Sequence, residues 1–243
     1  MTPAQQRQLL EELEQRVQGS WRNEIRDTMR QAADDIRANR SIDATIRQHG
    51  RRSLDLVRLT YEVAGDSFAR PIYEKARSKG LVTKDFERFT GLLDEFINEV
   101  GAERSAQIFG TTADQVRAAV SRGTAEGLSV AQIAADLRAR APSLALARAA
   151  VIARTESHSA AMWSQVEAIK DTGLELRKQW IAAKDERTRT LQDGPFDHAA
   201  MDGETVDMDQ PFIVGGEQLE FPGDPNGSPG NIINCRCVMN FVE

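Results

Sequence analysis

The stretch AMWSQVEAIKDTGLELRKQWIAA, residues 161–183, changes its periodicity halfway along. Up to Thr172, apolar residues Met162, Val166 and Ile169 recur every three or four positions, the spacing of one helix face. After Gly173, Leu174, Leu176 and Trp180 fall at even intervals, the spacing of one strand face. The same change of texture divides the whole chain. Before residue 172 proline occurs only at positions 3, 71 and 142; beyond it come five of the eight prolines, many glycines and short alternating runs. The fold class read from this is α+β. A mainly α-helical N-terminal region, 1–127, precedes a small α+β module, 128–243, whose short strands pack on a long helix.

Within the first part the spacing predicts a series of helices. Pro3 opens one through about Val17, and Ser20 caps a second that carries Trp21, Ile25, Met29 and Ile36. A third covers about Ser41 to Val63. Asp66 precedes another, with Pro71 in its first turn or kinking it. Thr83 caps a helix bearing Phe86, Phe89, Leu93, Phe96, Ile97 and Val100. Thr112, Ser129 and Ser143 are good caps, and Gly127 and Pro142 good breakers, which gives two short helices and then a long one over about 143–170. In the second part ETVDM, PFIV and EQLEF are short strands, PGDPNGSPGN is a turn-rich loop, and CRCVMNFV closes as a strand.

Composition sets the class. Forty per cent apolar and 28% charged residues are the proportions of a folded protein rather than a disordered one. No apolar run approaches the length of a membrane span, and the first residues lack the basic-then-apolar pattern of a secretory leader. The net charge of −6 is uneven: residues 185–243 hold 12 acidic and three basic side chains. Such a segment repels phosphate, which argues against direct nucleic-acid binding there. EGLSVAQIAADL has the outline of a helix-turn-helix. Its second helix starts Val130-Ala131-Gln132-Ile133, however, with no basic side chain before Arg138, and two packing helices account for it better.

Several residues could carry chemistry. On the long helix, Thr155 and His158 interrupt the stripe Val151, Met162, Val166, Ile169, and Arg154 and Glu156 flank them. A buried structural histidine and a catalytic or ligating one are both open readings. Asp185, Arg187 and Arg189 alternate after the predicted strand, where they would share a face and form an ion-pair network or a carboxylate-binding site. His198 and Asp202 follow, four apart. The two cysteines, Cys235 and Cys237, are one residue apart on one side of a strand, at the long end of disulfide reach and with parallel side chains, which disfavours an internal disulfide. Same-face thiols suit one zinc ion, with His198 as a third ligand and His158, Asp185 or Asp202 as a fourth; two buried apolar cysteines are the alternative. No nucleophile elbow, phosphate loop or dinucleotide fingerprint is present.

IARTESHSAAMW, KQWIAAKDERTR, HAAMDGETV, PF, FPGDP and INCRC, in this order between about Leu128 and Val242, resemble the phage Mu F-like head morphogenesis family of minor capsid (minor head) proteins. The family pattern falls on Arg154, Thr155, Glu156, Trp180, Asp185, Arg187, Arg189, His198, Asp202, Gly203, Pro222, Gly223, Asp224, Asn234, Cys235, Arg236 and Cys237. TLQDGPFD, between Arg189 and His198, reads as a loop insertion relative to that pattern. The resemblance implies a virion component of a tailed phage or prophage. Such a protein is present in few copies, acts in head morphogenesis and in DNA packaging or ejection near the portal, and contacts the portal or major capsid protein. Its association with packaged DNA is indirect, and it resides in the prohead interior after assembly in the host cytoplasm. The rival reading is an enzyme-like module, a toxin or a hydrolase or transferase, working in a polar cleft around Glu156, His158, His198 and the Asp185–Arg189 cluster; a DNA-binding regulator is the third.

Overall fold

The computed structural model describes all 243 residues. Its elements, in chain order, are α1 (Pro3–Arg37), α2 (Asp43–Ala64), a π turn (Gly65–Ala69), α3 (Arg70–Ser78), α4 (Glu87–Phe96), a second π turn (Ile97–Gly101), α5 (Ala102–Ala125), α6 (Val130–Thr172), β1 (Arg177–Ile181), β2 (Thr205–Asp207), β3 (Phe212–Val214), β4 (Glu217–Leu219), α7 (Pro229–Ile232) and β5 (Val238–Val242). The fold is α+β: long helices first, then short antiparallel strands. No helix is long and apolar enough to cross a membrane. By contact the chain forms two compact units. One comprises Met1–Glu14, Thr60–Phe96 and Arg154–Glu243; the other comprises Gln15–Leu59 and Ile97–Ala153.

The helices are longer than their local signals suggest, because buried seams override single breakers. The expected break at Gly19–Ser20 is absent, and α1 is continuous. Leu13, Val17, Trp21, Ile25 and Met29 repeat every four residues and are all buried. One surface glycine costs about 1 kcal/mol in a helix, whereas each buried large apolar side chain returns about 1.5–3 kcal/mol. Thr112 is not a cap; it is buried inside α5. Pro142 and Ser143 lie inside the 43-residue α6 rather than at its start. Pro142 is on the exposed side, while Leu137, Ala141, Ala145, Ala149 and Ala153 form a buried seam that carries the helix past it. Asp66 does precede a helix, and Pro71 falls in the first turn of α3 as expected; the π turn ahead of it widens the backbone where the ring would meet a carbonyl one turn back. At α4 the cap is Asp85, whose Oδ1 accepts from the Glu87 N–H at 3.2 Å, not Thr83. Ser129 does cap α6, since its hydroxyl accepts from the Gln132 N–H while Gln132 Oε1 accepts from the Ser129 N–H at 2.8 Å. The helix-turn-helix outline is thus the turn between two long helices.

In the unit made of Gln15–Leu59 and Ile97–Ala153, His49 is buried and hydrogen-bonded to Glu24 and Gln31, and its ring is nearly parallel to that of Phe109. The α1–α2 corner is tied by Asp35, which accepts from Arg40 at 2.8 Å and from Thr45. An added Cβ on Gly123 would overlap Ile133, so glycine there lets α5 and α6 approach closely.

In the other unit, Trp163 of α6 packs against Tyr61, Phe89 and Phe96 with ring centroids 4.6–5.7 Å apart. The sheet has order β2-β1-β5, antiparallel throughout, with Trp180 opposite Met239 and Ile181 opposite Val238; β3 and β4 form a separate hairpin. Residues 155–166 of α6 are buried all round. The strand that closes the chain begins at Val238, so Cys235 and Cys237 precede it and do not belong to it.

Two predictions follow from this packing. The carboxylate of Asp171, at the end of α6, accepts from Arg88 at 3.0 Å, from Tyr73 at 3.1 Å and from Lys84 at 3.4 Å. Burial opposes ionisation of this carboxyl, but the bonds from Arg88, Tyr73 and Lys84 outweigh it and hold its pKa below the ordinary 3.8. A folded value below the unfolded one means the stabilisation is complete above the unfolded pKa and vanishes as pH falls through the folded value. Asp171→Asn will therefore lose about 2 kcal/mol at pH 7, and thermal unfolding will show the deficit to wild type shrinking in acid. Gly65 faces the Phe89 ring so closely that an added methyl would overlap it, and that ring is held by Phe86 and Trp163. Gly65→Ala will destabilise by about 1–3 kcal/mol in urea unfolding, whereas Gly91→Ala, in open space on α4, will stabilise by about 1 kcal/mol.

Candidate metal centre

The buried face of α6 supplies polar groups that hold the irregular loops of the β part. The Thr155 hydroxyl accepts from the Asn234 N–H at 3.1 Å, His158 Nε2 donates to the Cys237 carbonyl at 2.6 Å, and the Ser159 hydroxyl donates to the Gly223 carbonyl at 2.6 Å. Gly223 is at φ 79°, a left-handed conformation, and an added Cβ would strike the His158 ring. No other residue could take both that conformation and that approach. His158 is thus a structural donor whose burial pushes its pKa down, and it stands outside the cluster of His198 with the two cysteines. Asp224, buried in the same loop, accepts from the Glu220 and Asn226 N–H groups at 2.8 and 2.9 Å and shapes the FPGDP turn.

His198 lies in the turn before β2, against Trp180 of β1, with ring centroids 5.3 Å apart and nearly perpendicular. Its Nε2 is 2.7 Å from Asn231 Oδ1. The orientation of Asn231 is set in turn by its amide, which donates to Glu217 Oε2 at 3.0 Å. Asn231 Oδ1 therefore accepts, His198 Nε2 carries the proton, and Nδ1 presents its lone pair. Cys235 Sγ is 3.6 Å and Cys237 Sγ 3.7 Å from that Nδ1, and the three ligand atoms lie within 4.8 Å of one another. All three residues are buried, at 1–2% exposure. The two thiols are unequal. Burial pushes the Cys235 thiol up, whereas hydrogen bonding from the Cys235 thiol pulls the Cys237 thiol down.

The sequence-predicted fourth ligands are elsewhere. Asp185 pairs with Arg236, at 3.0 Å from its Nε, and also accepts from the Arg187 N–H. Asp202 accepts from the Ala182 N–H at 3.1 Å and pairs with Lys184 at 2.6 Å. Nor do Asp185, Arg187 and Arg189 share an extended face, since the chain turns after the left-handed Lys184: the Asp185 N–H donates to Thr188, Arg187 is exposed, and Arg189 donates to the Ile233 carbonyl. Arg154 binds the Glu14 carboxylate of α1 at 3.1 Å and Asn234 Oδ1 at 3.1 Å. Glu156 is buried at 1% exposure, and Trp180 is fully buried. His158, Cys235, Asp185, Arg154 and Arg236 line one cavity of about 160 Å³ together with Arg7, Glu11 and Glu14 from α1; Glu156 and His198 do not line it. Asn231, Glu217 and these α1 residues were not foreseen. Only the position of Asn231, four before Cys235, could have hinted at its role.

Residues 114–240 match the family model described as Phage Mu protein F like protein. The chain belongs to that family. The Mu F-like segment begins inside α5, earlier than Leu128, and ends in β5. Over 133 residues the chain is 29% identical to Minor head protein GP7 of Bacillus phage SPP1, a match covering 53% of this chain and 40% of that protein. Over 119 residues it is 31% identical to NAD(+)--arginine ADP-ribosyltransferase EFV of Enterococcus faecalis, covering 48% of this chain and 23% of that one. The chain thus spans less than half the length of either relative. No solved structure matches it.

Within the Mu F-like segment, Asn234 gathers three roles. It adopts φ 59°, donates its N–H to Thr155 and accepts from Arg154. Asn234→Ala will therefore cost about 2 kcal/mol, combining left-handed strain with the lost guanidinium bond. Asn234→Gly, free of that strain, will recover about half of the loss in the same denaturation assay.

Proposed function

We propose that this chain is a low-copy minor component of a tailed-phage head and acts in head morphogenesis, docking on the portal or major capsid protein through its helical region 1–127. The observation that carries this reading is what the family-pattern residues do. Arg154, Thr155, Asp185, Arg189, Asp202, Asp224 and Asn234 each hold a neighbouring segment of the chain, by ion pair or by a bond to backbone. Residues of that kind maintain a rigid binding module. The name of the phage SPP1 relative, a minor head protein, supports the same reading. The acidic balance of 185–243 disfavours direct contact with packaged DNA, so a role in packaging or ejection runs through the portal partner.

A second reading rests on the similarity to an ADP-ribosyltransferase. Against it, Glu156 is buried, and the cavity at the family-pattern residues, about 160 Å³, is smaller than the about 300–1,000 Å³ of small-molecule sites. The test is quantitative mass spectrometry of purified heads from the phage or prophage that encodes the chain. A head component of the proposed kind is present far below the major capsid protein in copy number; absence from heads, or stoichiometry equal to the capsid protein, overturns the proposal. NAD⁺ consumption by the purified chain that disappears in a folded Glu156→Ala variant would transfer the assignment to the enzyme reading.

A further inference from the structure

We propose that Cys235, Cys237 and His198 bind one tetrahedral zinc ion, whose fourth position adjoins the cavity that Cys235 lines. The distances are those of such a site. Zinc about 2.3 Å from sulfur and about 2.05 Å from nitrogen, at tetrahedral angles, sets an S···N edge of about 3.6 Å. The two S···N separations here are 3.6 and 3.7 Å. Thiol hydrogen bonding alone accounts poorly for the arrangement. His198 Nδ1 has one lone pair and two thiols at nearly equal range, so it can accept only one S–H, and the other is left with the neighbouring sulfur, a weak acceptor. A cation at the centre uses all three groups at once.

The support around the histidine is that of a ligand. Glu217 fixes the Asn231 amide, Asn231 accepts from His198 Nε2, and Nδ1 is left facing the sulfurs; outer-shell bonds of this kind fix the tautomer of metal-bound histidines. Charge also balances. Binding releases one proton from each thiol, and two thiolates with Zn²⁺ and neutral imidazole leave no net charge in a buried site. Two soft sulfurs and an imidazole in tetrahedral array favour zinc over the hard cations that prefer oxygen. The short C-x-C spacing ceases to be an obstacle, because the pair follows the left-handed Asn234 and precedes β5 instead of extending along it.

No fourth histidine, cysteine or carboxylate joins the cluster. Cys235 also borders the cavity of about 160 Å³, so the fourth ligand is water or a small donor from that side. Two ion pairs in its walls, Arg154 with Glu14 and Arg236 with Asp185, are already made. The position is therefore accessible without a competing protein ligand.

The experiment uses the full chain, purified without chelator, so its outcome does not depend on any role in a phage head. Elemental analysis is expected to give about one zinc per chain, and less than about 0.2 after zinc titration overturns the proposal. Replacing zinc with Co²⁺ is expected to give the intense visible bands of tetrahedral cobalt and a sulfur-to-cobalt charge-transfer band. With two cysteines in the whole chain, that band has one possible origin. Folded protein without it, or a mass lower by two hydrogens from a Cys235–Cys237 disulfide, overturns the site. Cys235→Ser and Cys237→Ser will each weaken the charge-transfer band. Asn231→Ala keeps all three ligands and should still fold, but will bind Co²⁺ about 10–100-fold more weakly; unchanged affinity in that variant overturns the argument that the histidine is held for a metal.

Discussion

The β part of this protein hangs on three hydrogen bonds from one buried turn of α6: Thr155 to Asn234, His158 to Cys237 and Ser159 to Gly223. Each pairs a side chain of a rigid helix with backbone of a segment that lacks regular structure of its own. Buried backbone groups cost about 1–3 kcal/mol when unpaired, so these contacts determine whether the loops can be buried at all. A helix surrounded by protein is ordinarily apolar on every side. Here the polar interruption of the stripe is the means by which a fixed element specifies the path of a long, turn-rich tail.

The same bonds position the cysteines. His158 holds the Cys237 carbonyl, and Thr155 with Arg154 holds Asn234, so both ends of the C-x-C step are fixed before any metal is considered. His198 arrives from a different loop and is oriented by a third, through Asn231. Three separately anchored segments converge on one point, which is how a small module with few strands can hold a defined centre.

Much of this was legible in the sequence, and the remainder was hidden for physical reasons. The change from period 3.6 to period 2 near Thr172 places the α+β boundary, and each of the five strands lies within a stretch read as one, although the last begins at Val238, after the two cysteines. Helix ends were harder. The cap signals of Ser20 and Thr112 and the breaker Pro142 are real local preferences, but burial of a continuous seam is worth more than any one of them. Thr155 and His158 are conspicuous on their helix, yet their partners are backbone atoms 79 residues away, which no side-chain pattern encodes. The convergence of His198 with the two cysteines follows from their chemistry. The absence of a fourth ligand does not, because Asp185 and Asp202 are equally plausible donors until Arg236 and Lys184 are seen to occupy them.

Gln6 of α1 donates to the Met239 carbonyl of β5, across 233 residues of chain. During synthesis at about 5–20 residues per second, the first turns of α1 leave the ribosome about 12–45 s before their partner strand exists. Throughout that interval the compact unit that contains both lacks its closing strand, and β1 has one open edge. Completion of that unit is therefore a late event in the life of the chain, set by vectorial order and not by the speed at which its helices form. The open edge of β1 is the place where a nascent or truncated chain would misassociate.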